Sequence, residues 1–200
     1  MLITNKMKLV IATKNKGKKR EIEALLEGLP IEIYALTDFP EVADVVEDAD
    51  TLEGNARKKA LASFDHFNMP ALADDTGLEV EALDGRPGVY SARYAGEDGN
   101  AVANRALLCK EMTDKENRAA KFRTVMAFMD GETVHYFEGV CDGRILDHEV
   151  GDGGFGYDPL FIPDGYEITF AEMPANQKNQ ISHRGRALQK FVEFLTAQLN

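Results

Sequence analysis

The sequence predicts an α/β fold built on a mixed sheet in two lobes with a cleft between them. Three observations predict it. Apolar runs short enough for buried strands alternate with amphipathic helical stretches over the first 70 residues. Longer alternating runs joined by a turn dipeptide follow after residue 119, as in antiparallel strands. The chain of 200 residues, 44% of them hydrophobic, is long enough for one sizeable domain.

Taken in order, Leu9 to Ala12 is a continuous apolar run suited to a central parallel strand. Ile22, Leu25, Leu26 and Leu29 recur at helical spacing, so Lys18 to Leu29 reads as an amphipathic helix. Ile31 to Leu36 reads as the next strand and Asn55 to Phe67 as the second helix. Ala71-Leu72-Ala73 is a short buried strand that ends at Asp74-Asp75, with a glycine turn at Gly77. Asn100 to Met112 reads as a third helix. Phe122 to Met129 and Thr133 to Val140 form a hairpin across Asp130-Gly131, and Gly143 to Leu146 adds a further strand. Ser182 to Leu199 closes the chain as a helix with Leu188, Phe191, Val192 and Leu195 on one face. One domain spans 1–200, and residues 1–6 read as an extension before a natural start at Met7.

The net charge is −11, from 34 acidic and 23 basic residues. Such a chain lacks the basic footprint that binds a nucleic-acid polymer. No apolar run approaches the ~18 residues of a membrane span, and the start lacks the apolar core of a signal peptide. Cys109 and Cys141 have neither disulfide-framework nor metal spacing, so a reduced, cytoplasmic protein is expected.

Four segments carry candidate chemistry. Asp74-Asp75-Thr76-Gly77 sets two carboxylates at a strand end, where open α/β sheets hold ligands and where Mg²⁺ finds oxygen donors. An ordinary turn would use the same residues. Thr13-Lys14-Asn15-Lys16-Gly17-Lys18 lies between the first strand and the first helix, the place where backbone N–H groups bind phosphate. It opens a run in which Lys14, Lys16, Lys18, Lys19 and Arg20 put five bases into seven positions. Cations do not favour a helix start, so a solvated face explains them poorly. The Walker spacing is absent. Gly151 to Pro159 carries four glycines in six positions, with Phe155 and Tyr157 as flat faces and Asp158 as an acceptor, suited to a purine base. Lys178 and Ser182-His183-Arg184-Gly185 add donors at the start of the last helix.

In order and over nearly the whole chain, these segments resemble the inosine/xanthosine triphosphate pyrophosphatase family. Thr13 to Lys18 is similar to its T-G-N-x-x-K. Ala73-Asp74-Asp75-Thr76-Gly77 matches A-D-D-[ST]-G, and Pro87 to Tyr94 matches P-G-[IV]-Y-S-A-R-[YF]. Gly153 to Pro159 matches G-G-F-G-Y-D-P, and Ser182 to Gly185 matches S-H-R-G. The resemblance implies a two-lobed fold with a central nucleotide-binding cleft, a homodimer, and Mg²⁺-dependent cleavage of inosine, deoxyinosine and xanthosine triphosphates to monophosphate and pyrophosphate.

Residue by residue, it implies Asp75 as metal ligand and proton acceptor, and Thr76 as a substrate contact. Thr13, Lys14, Asn15, Lys16, Gly17 and Lys18 become the triphosphate loop. Phe155, Gly156, Tyr157 and Asp158 become the nucleoside contacts, and Lys178, His183 and Arg184 the remaining substrate contacts. Two positions depart from the family. Lys14 replaces a glycine and adds a charge to the phosphate loop. The family's E-N-A on the second helix is Gly54-Asn55-Ala56. Glu53 stands in for the lost metal glutamate only if the helix begins after it, and Asp74 is the other spare carboxylate. Two rivals stay open: a nucleotide-binding protein without efficient turnover, and a phosphatase of the haloacid-dehalogenase type. The latter wants a spacer between its acids, which Asp74 and Asp75 lack.

Overall fold

The computed structural model describes residues 6–96 and 99–199, so residues 1–5 of the expected extension lie outside the described residues. The chain divides into two compact units. The first holds Met1–Asp75, Val125–Glu138 and Ala187–Asn200, and the second Thr76–Thr124 and Gly139–Arg186. The fold is mixed α/β, as expected. Its strands, among the described residues, follow the order β2-β1-β3-β5-β6-β7, with β4 on β3.

In the first unit, β1 (Met7–Ile11) pairs in parallel with β2 (Ile31–Ala35) on one side and with β3 (Ala71–Val80) on the other. Residues of β1 alternate between two cores, as a strand buried on both faces must. Leu9 and Ile11 join Leu72, with Ile22 and Leu26 of α1 (Lys16–Leu26) and Leu188, Phe191 and Leu195 of α5 (His183–Leu199). Val10 and Ala12 join Ala71 and Ala73, with Ala56 and Ala60 of α2 (Leu52–Phe67), on the opposite face. The small residues on that face let α2 come close to the sheet.

The expected helices are present with shifted ends, each for a local reason. Helix α1 starts earlier because Asn15 caps it, its Oδ1 accepting from the N–H groups of Gly17 and Lys18. It stops at Leu26, ahead of Gly28 in the left-handed region. Helix α2 begins at Leu52, three residues before the expected Asn55, because Thr51 accepts from Gly54 N–H at 3.1 Å.

The second unit contains Thr76 to Val80 of β3, β4 (Pro87–Gly88), α3 (Ala101–Glu111), β7 (Phe161–Pro163) and α4 (Ala175–Ile181). It also takes the outer parts of β5 (Ala119–Met129) and β6 (Val134–Ile145). Its core gathers Leu78, Val80, Leu108, Phe122, Tyr157, Phe161 and Phe170. Strand β6 absorbs the separate strand expected at Gly143 to Leu146. The hairpin turn falls at Asp130-Gly131, where Gly131 has φ +123 and Asp130 Oδ1 accepts from the N–H groups of Glu132 and Thr133.

One expectation is overturned. Asp74 and Asp75 do not end a strand, because β3 continues through Gly77 to Val80. Gly77 is no turn residue. A Cβ there would stand 2.7 Å from the Gly88 carbonyl of the paired β4, so the glycine serves close strand approach. Among the described residues no helix is long and apolar enough to cross a membrane.

Candidate active site

The functional side chains of the first unit grow out of the pleat of β3. Consecutive residues of a strand face opposite ways. Asp75 shares the parity of Ala71 and Ala73 and meets α2, where Asn55 Nδ2 donates to its Oδ2 at 3.0 Å and Lys59 Nζ lies 3.7 Å from Oδ1. Asp74 shares the parity of Leu72 and pairs with Lys18 Nζ of α1 at 3.0 Å. The two adjacent carboxylates therefore meet different helices, Asp74 α1 and Asp75 α2.

Asn55 and Lys59 are four apart and share one helix face. Asn55 is fully buried. Lys59 also pairs with Glu47 Oε2 at 2.9 Å. Burial pushes the Asp75 carboxyl above its ordinary value, with Glu47 adding to the rise, and Lys59, Lys18 and Asn55 only partly offset it. For Lys59 burial is the largest influence and favours the neutral amine, yet Asp75, Glu47 and Asp74 together hold its pKa above the usual value. The result is a buried carboxyl that an amide and an ammonium of one helix face both engage.

Glu53 does not meet the condition set for it. It lies inside the first turn of α2, and two residues along a helix turn about 200°, so it points away from the face on which Asn55 meets Asp75. The family's glutamate position is closed as well, since a Cβ on Gly54 would stand 2.7 Å from Ala49 Cβ.

The basic loop is partly committed to the protein's own acids. Lys14 Nζ donates to the Val42 carbonyl at 2.6 Å and pairs with Asp44 at 3.0 Å. Lys19 pairs with Asp38 at 2.8 Å, and Arg20 Nε donates to the Lys16 carbonyl. Lys16 is exposed. Thr13 Oγ1 accepts from Asn15 N–H at 3.2 Å, so Thr13 and Asn15 shape the loop through which Gly17 enters the helix.

The second unit gathers the other candidates. Thr76 Oγ1 lies 2.6 Å from Thr124 Oγ1 and accepts from Arg184 at 3.1 Å. Arg184 is 1% exposed, and its guanidinium lies over the Phe155 ring at 5.5 Å. Lys178, also buried, lies over the same ring at 4.9 Å and pairs with Asp158 Oδ2 at 2.7 Å. Asp158 Oδ2 further accepts from Phe155 N–H at 2.7 Å, so this acid folds the glycine loop as well as balancing Lys178. The ring of Phe155 thus faces cations. His183 stacks on Phe122 at 4.6 Å.

Tyr157 is not an open flat face. It is core, its hydroxyl donates to the Ser91 carbonyl at 2.9 Å, and burial pushes its pKa far up. Gly154 and Gly156 have the positive φ their loop requires, and Arg105 holds the Gly156 carbonyl at 2.8 Å. Gly185 is obligatory, because a Cβ would lie 1.8 Å from the Asn179 carbonyl.

Residue-type reasoning passed over Asn55, Lys59 and Glu47 in the first unit, and Thr124, Arg105 and Phe122 in the second. The four-residue spacing of Asn55 and Lys59 was a usable signal. The others depend on contacts across the chain.

Chemically, the first unit offers a buried base and ammonium groups for phosphate. The second offers buried donors on aromatic faces. Mg²⁺ takes one or two carboxylates and completes its shell with water and phosphate oxygens. Asp75, an oxygen donor with its carboxyl oriented, fits that demand. No group of three or more His, Cys, Asp or Glu side chains that could hold a metal occurs among the described residues.

The Ham1 family matches residues 9–194. A dITP/XTP pyrophosphatase of Geobacter sulfurreducens is 51% identical over 184 residues, covering 90% of this chain and 92% of that protein. One of Porphyromonas gingivalis is 49% identical, covering 94% and 97%. The solved HAM1 protein of Coxiella burnetii superposes with a TM-score of 0.86 at 36% identity, over 96% of this chain and 99% of the other. The Staphylococcus aureus Ham1 protein gives 0.85 at 35%, with the same coverage. With its motifs in order, its fold shared and nearly its whole length matched, the chain belongs to the Ham1 family.

Proposed function

We propose that this protein hydrolyses non-standard purine nucleoside triphosphates, dITP, XTP and ITP, to the monophosphate and pyrophosphate. The observation that carries the reading is Asp75. It is a buried carboxyl pushed above its ordinary value and held from one helix by Asn55 and Lys59. It sits in a chain about half identical to proteins that bear the name dITP/XTP pyrophosphatase.

In this reading Asp75 orients a water at the α-phosphorus and accepts its proton. The bond from the α-phosphorus to the bridging oxygen breaks, and pyrophosphate leaves. Lys18 and the loop from Thr13 to Lys18 bind the charged leaving group. Asp75 would hold Mg²⁺, which when bound supplies charge stabilisation to the phosphate oxygens. Lys178, His183 and Arg184 supply donors for the 6-oxo edge of hypoxanthine or xanthine. Adenine presents an amino group there and would leave a buried donor unmatched, a costly exchange. A homodimer belongs to the same proposal.

A nucleotide panel with Mg²⁺ tests it, scoring pyrophosphate and monophosphate separately. Monophosphate and pyrophosphate in equal amounts from dITP, with little from ATP, is the expected outcome. Orthophosphate would mean a phosphatase, and tight binding without turnover a nucleotide-binding protein.

A further inference from the structure

We infer that Lys14 is a positioning residue for the proposed hydrolysis: its ammonium latches the acidic segment 39–51 to the loop before α1, and that segment engages Asn55 and Lys59, which both engage Asp75. The inference rests on the hydrolytic reading for its effect on turnover, but the latch itself is a matter of structure. All the residues involved belong to the first unit.

Residues 43–49 have no helix, strand or turn of their own. Side-chain bonds hold the segment instead. At its near end Lys14 Nζ donates to the Val42 carbonyl at 2.6 Å and pairs with Asp44 at 3.0 Å. Val42 packs against the core on the α2 face. In the middle, Glu47 pairs with Lys59 at 2.9 Å and Asp48 pairs with Lys58. At the far end Ala49 N–H donates to Asn55 Oδ1 at 3.0 Å. Ala49 also seats its methyl where Gly54 has no Cβ.

The segment thus engages Asn55 and Lys59, and both engage Asp75. Asn55 is used at both ends of its amide, its oxygen on Ala49 and its nitrogen on Asp75. A displaced segment would free that oxygen and let the amide turn. It would also remove the carboxylate that shares Lys59 with Asp75.

A phosphate contact is the other role open to the Lys14 side chain, and the two roles differ in sign at Asp44. An exposed ion pair contributes little alone, but here the same ammonium also ties a backbone carbonyl of a segment that has no ladder. If Lys14 faces phosphate, Asp44 competes for it, and Asp44→Asn leaves triphosphate binding unchanged or tighter. If Lys14 is a latch, Asp44→Asn weakens the latch and acts in the same direction as Lys14→Gly.

The test uses the full chain as wild type, Lys14→Gly, Asp44→Asn, the double variant and Lys14→Arg. Amide hydrogen exchange over residues 42–50 is measured together with kcat and KM for dITP. A latch predicts exchange rising about tenfold in Lys14→Gly and less in Asp44→Asn. It predicts kcat falling about three- to tenfold with KM changing less, a double variant no worse than Lys14→Gly, and recovery in Lys14→Arg. Unchanged exchange in Lys14→Gly would overturn the latch. A KM that rises in Lys14→Gly but falls in Asp44→Asn would overturn it in favour of a phosphate contact. If the wild type turns over no nucleotide, the hydrolytic reading fails, while the exchange measurement still decides the latch.

Discussion

The two units assemble their candidate chemistry by opposite means. In the first, ammonium groups are spread over a loop and two helices and answered by carboxylates. Lys14 faces Asp44, Lys18 faces Asp74, Lys19 faces Asp38, and Lys59 faces Glu47 and Asp75. In the second, Lys178 and Arg184 are buried on the face of Phe155, and Asp158 answers Lys178. Charge density suits a polyanion, whose affinity grows with the number of cations. Buried donors on rings suit a base, whose identity is read by shape and by which edge atoms accept.

The contrast breaks first at Asp75. Asp75→Asn should lower turnover on the order of 10⁴-fold, about 5.4 kcal/mol of barrier, while circular dichroism stays native. Turnover within tenfold of wild type would remove Asp75 from the chemistry. The same variant tests the electrostatics. A carboxyl whose folded pKa is raised contributes its full stability below the unfolded value near 3.9. That contribution is lost as pH rises through the folded value. Asp75→Asn should therefore gain stability relative to wild type as pH rises from 3 to 7. Thermal midpoints across that range that move in parallel would contradict the raised carboxyl.

The next largest effect is expected in the second unit. Lys178→Ala leaves Asp158 buried with one cation fewer and should cost about 3–5 kcal/mol in urea unfolding. Lys18→Ala in the first unit likewise takes the ammonium from a buried acid, Asp74, and should cost stability too, less only because the Lys18 end of that pair reaches solvent. A Lys178→Ala variant as stable as wild type would show that Asp158 does not depend on that cation.

Lys18→Ala should also appear in binding. We expect about 1.5–3 kcal/mol lost for a triphosphate, less for the monophosphate, and a loss that shrinks as salt rises. Calorimetry at two ionic strengths reads this directly. A salt-independent loss, equal for both nucleotides, would place Lys18 away from the terminal phosphates.

The smallest effect is expected at Glu53. As a first-turn acid of α2 it interacts with the helix dipole, and Glu53→Gln should cost about 0.3–1 kcal/mol of stability. The Mg²⁺ dependence of turnover should overlay the wild type. A higher Mg²⁺ requirement would return Glu53 to the metal.

Local rules made much of this legible. The strand parity of Leu9 to Ala12, the stripe from Ile22 to Leu26 and the turn at Asp130-Gly131 all follow from near neighbours in sequence. The glycine loop was legible for the same reason, since positive φ at Gly154 and Gly156 is a property of the residue itself. What escaped depends on distant partners. Gly77 reads as a turn until β4 is seen against it. Tyr157 reads as a stacking face until Ser91 takes its hydroxyl. The partners of the clustered bases were not legible either, since Asp38, Asp44 and Asp74, which face three of them, are distant in sequence.

Gly54 makes the seat of Ala49 depend on a missing Cβ. Because Ala49 stands 2.7 Å from where a Cβ would grow, a glutamate at that position requires Ala49 to shift. A shift of Ala49 would disturb its bond to Asn55 and, through the same segment, the pair of Glu47 with Lys59. An acid grafted there from a relative would be judged harmful for steric reasons that have nothing to do with metal. Its merit would become visible only in a background where the preceding loop had already changed.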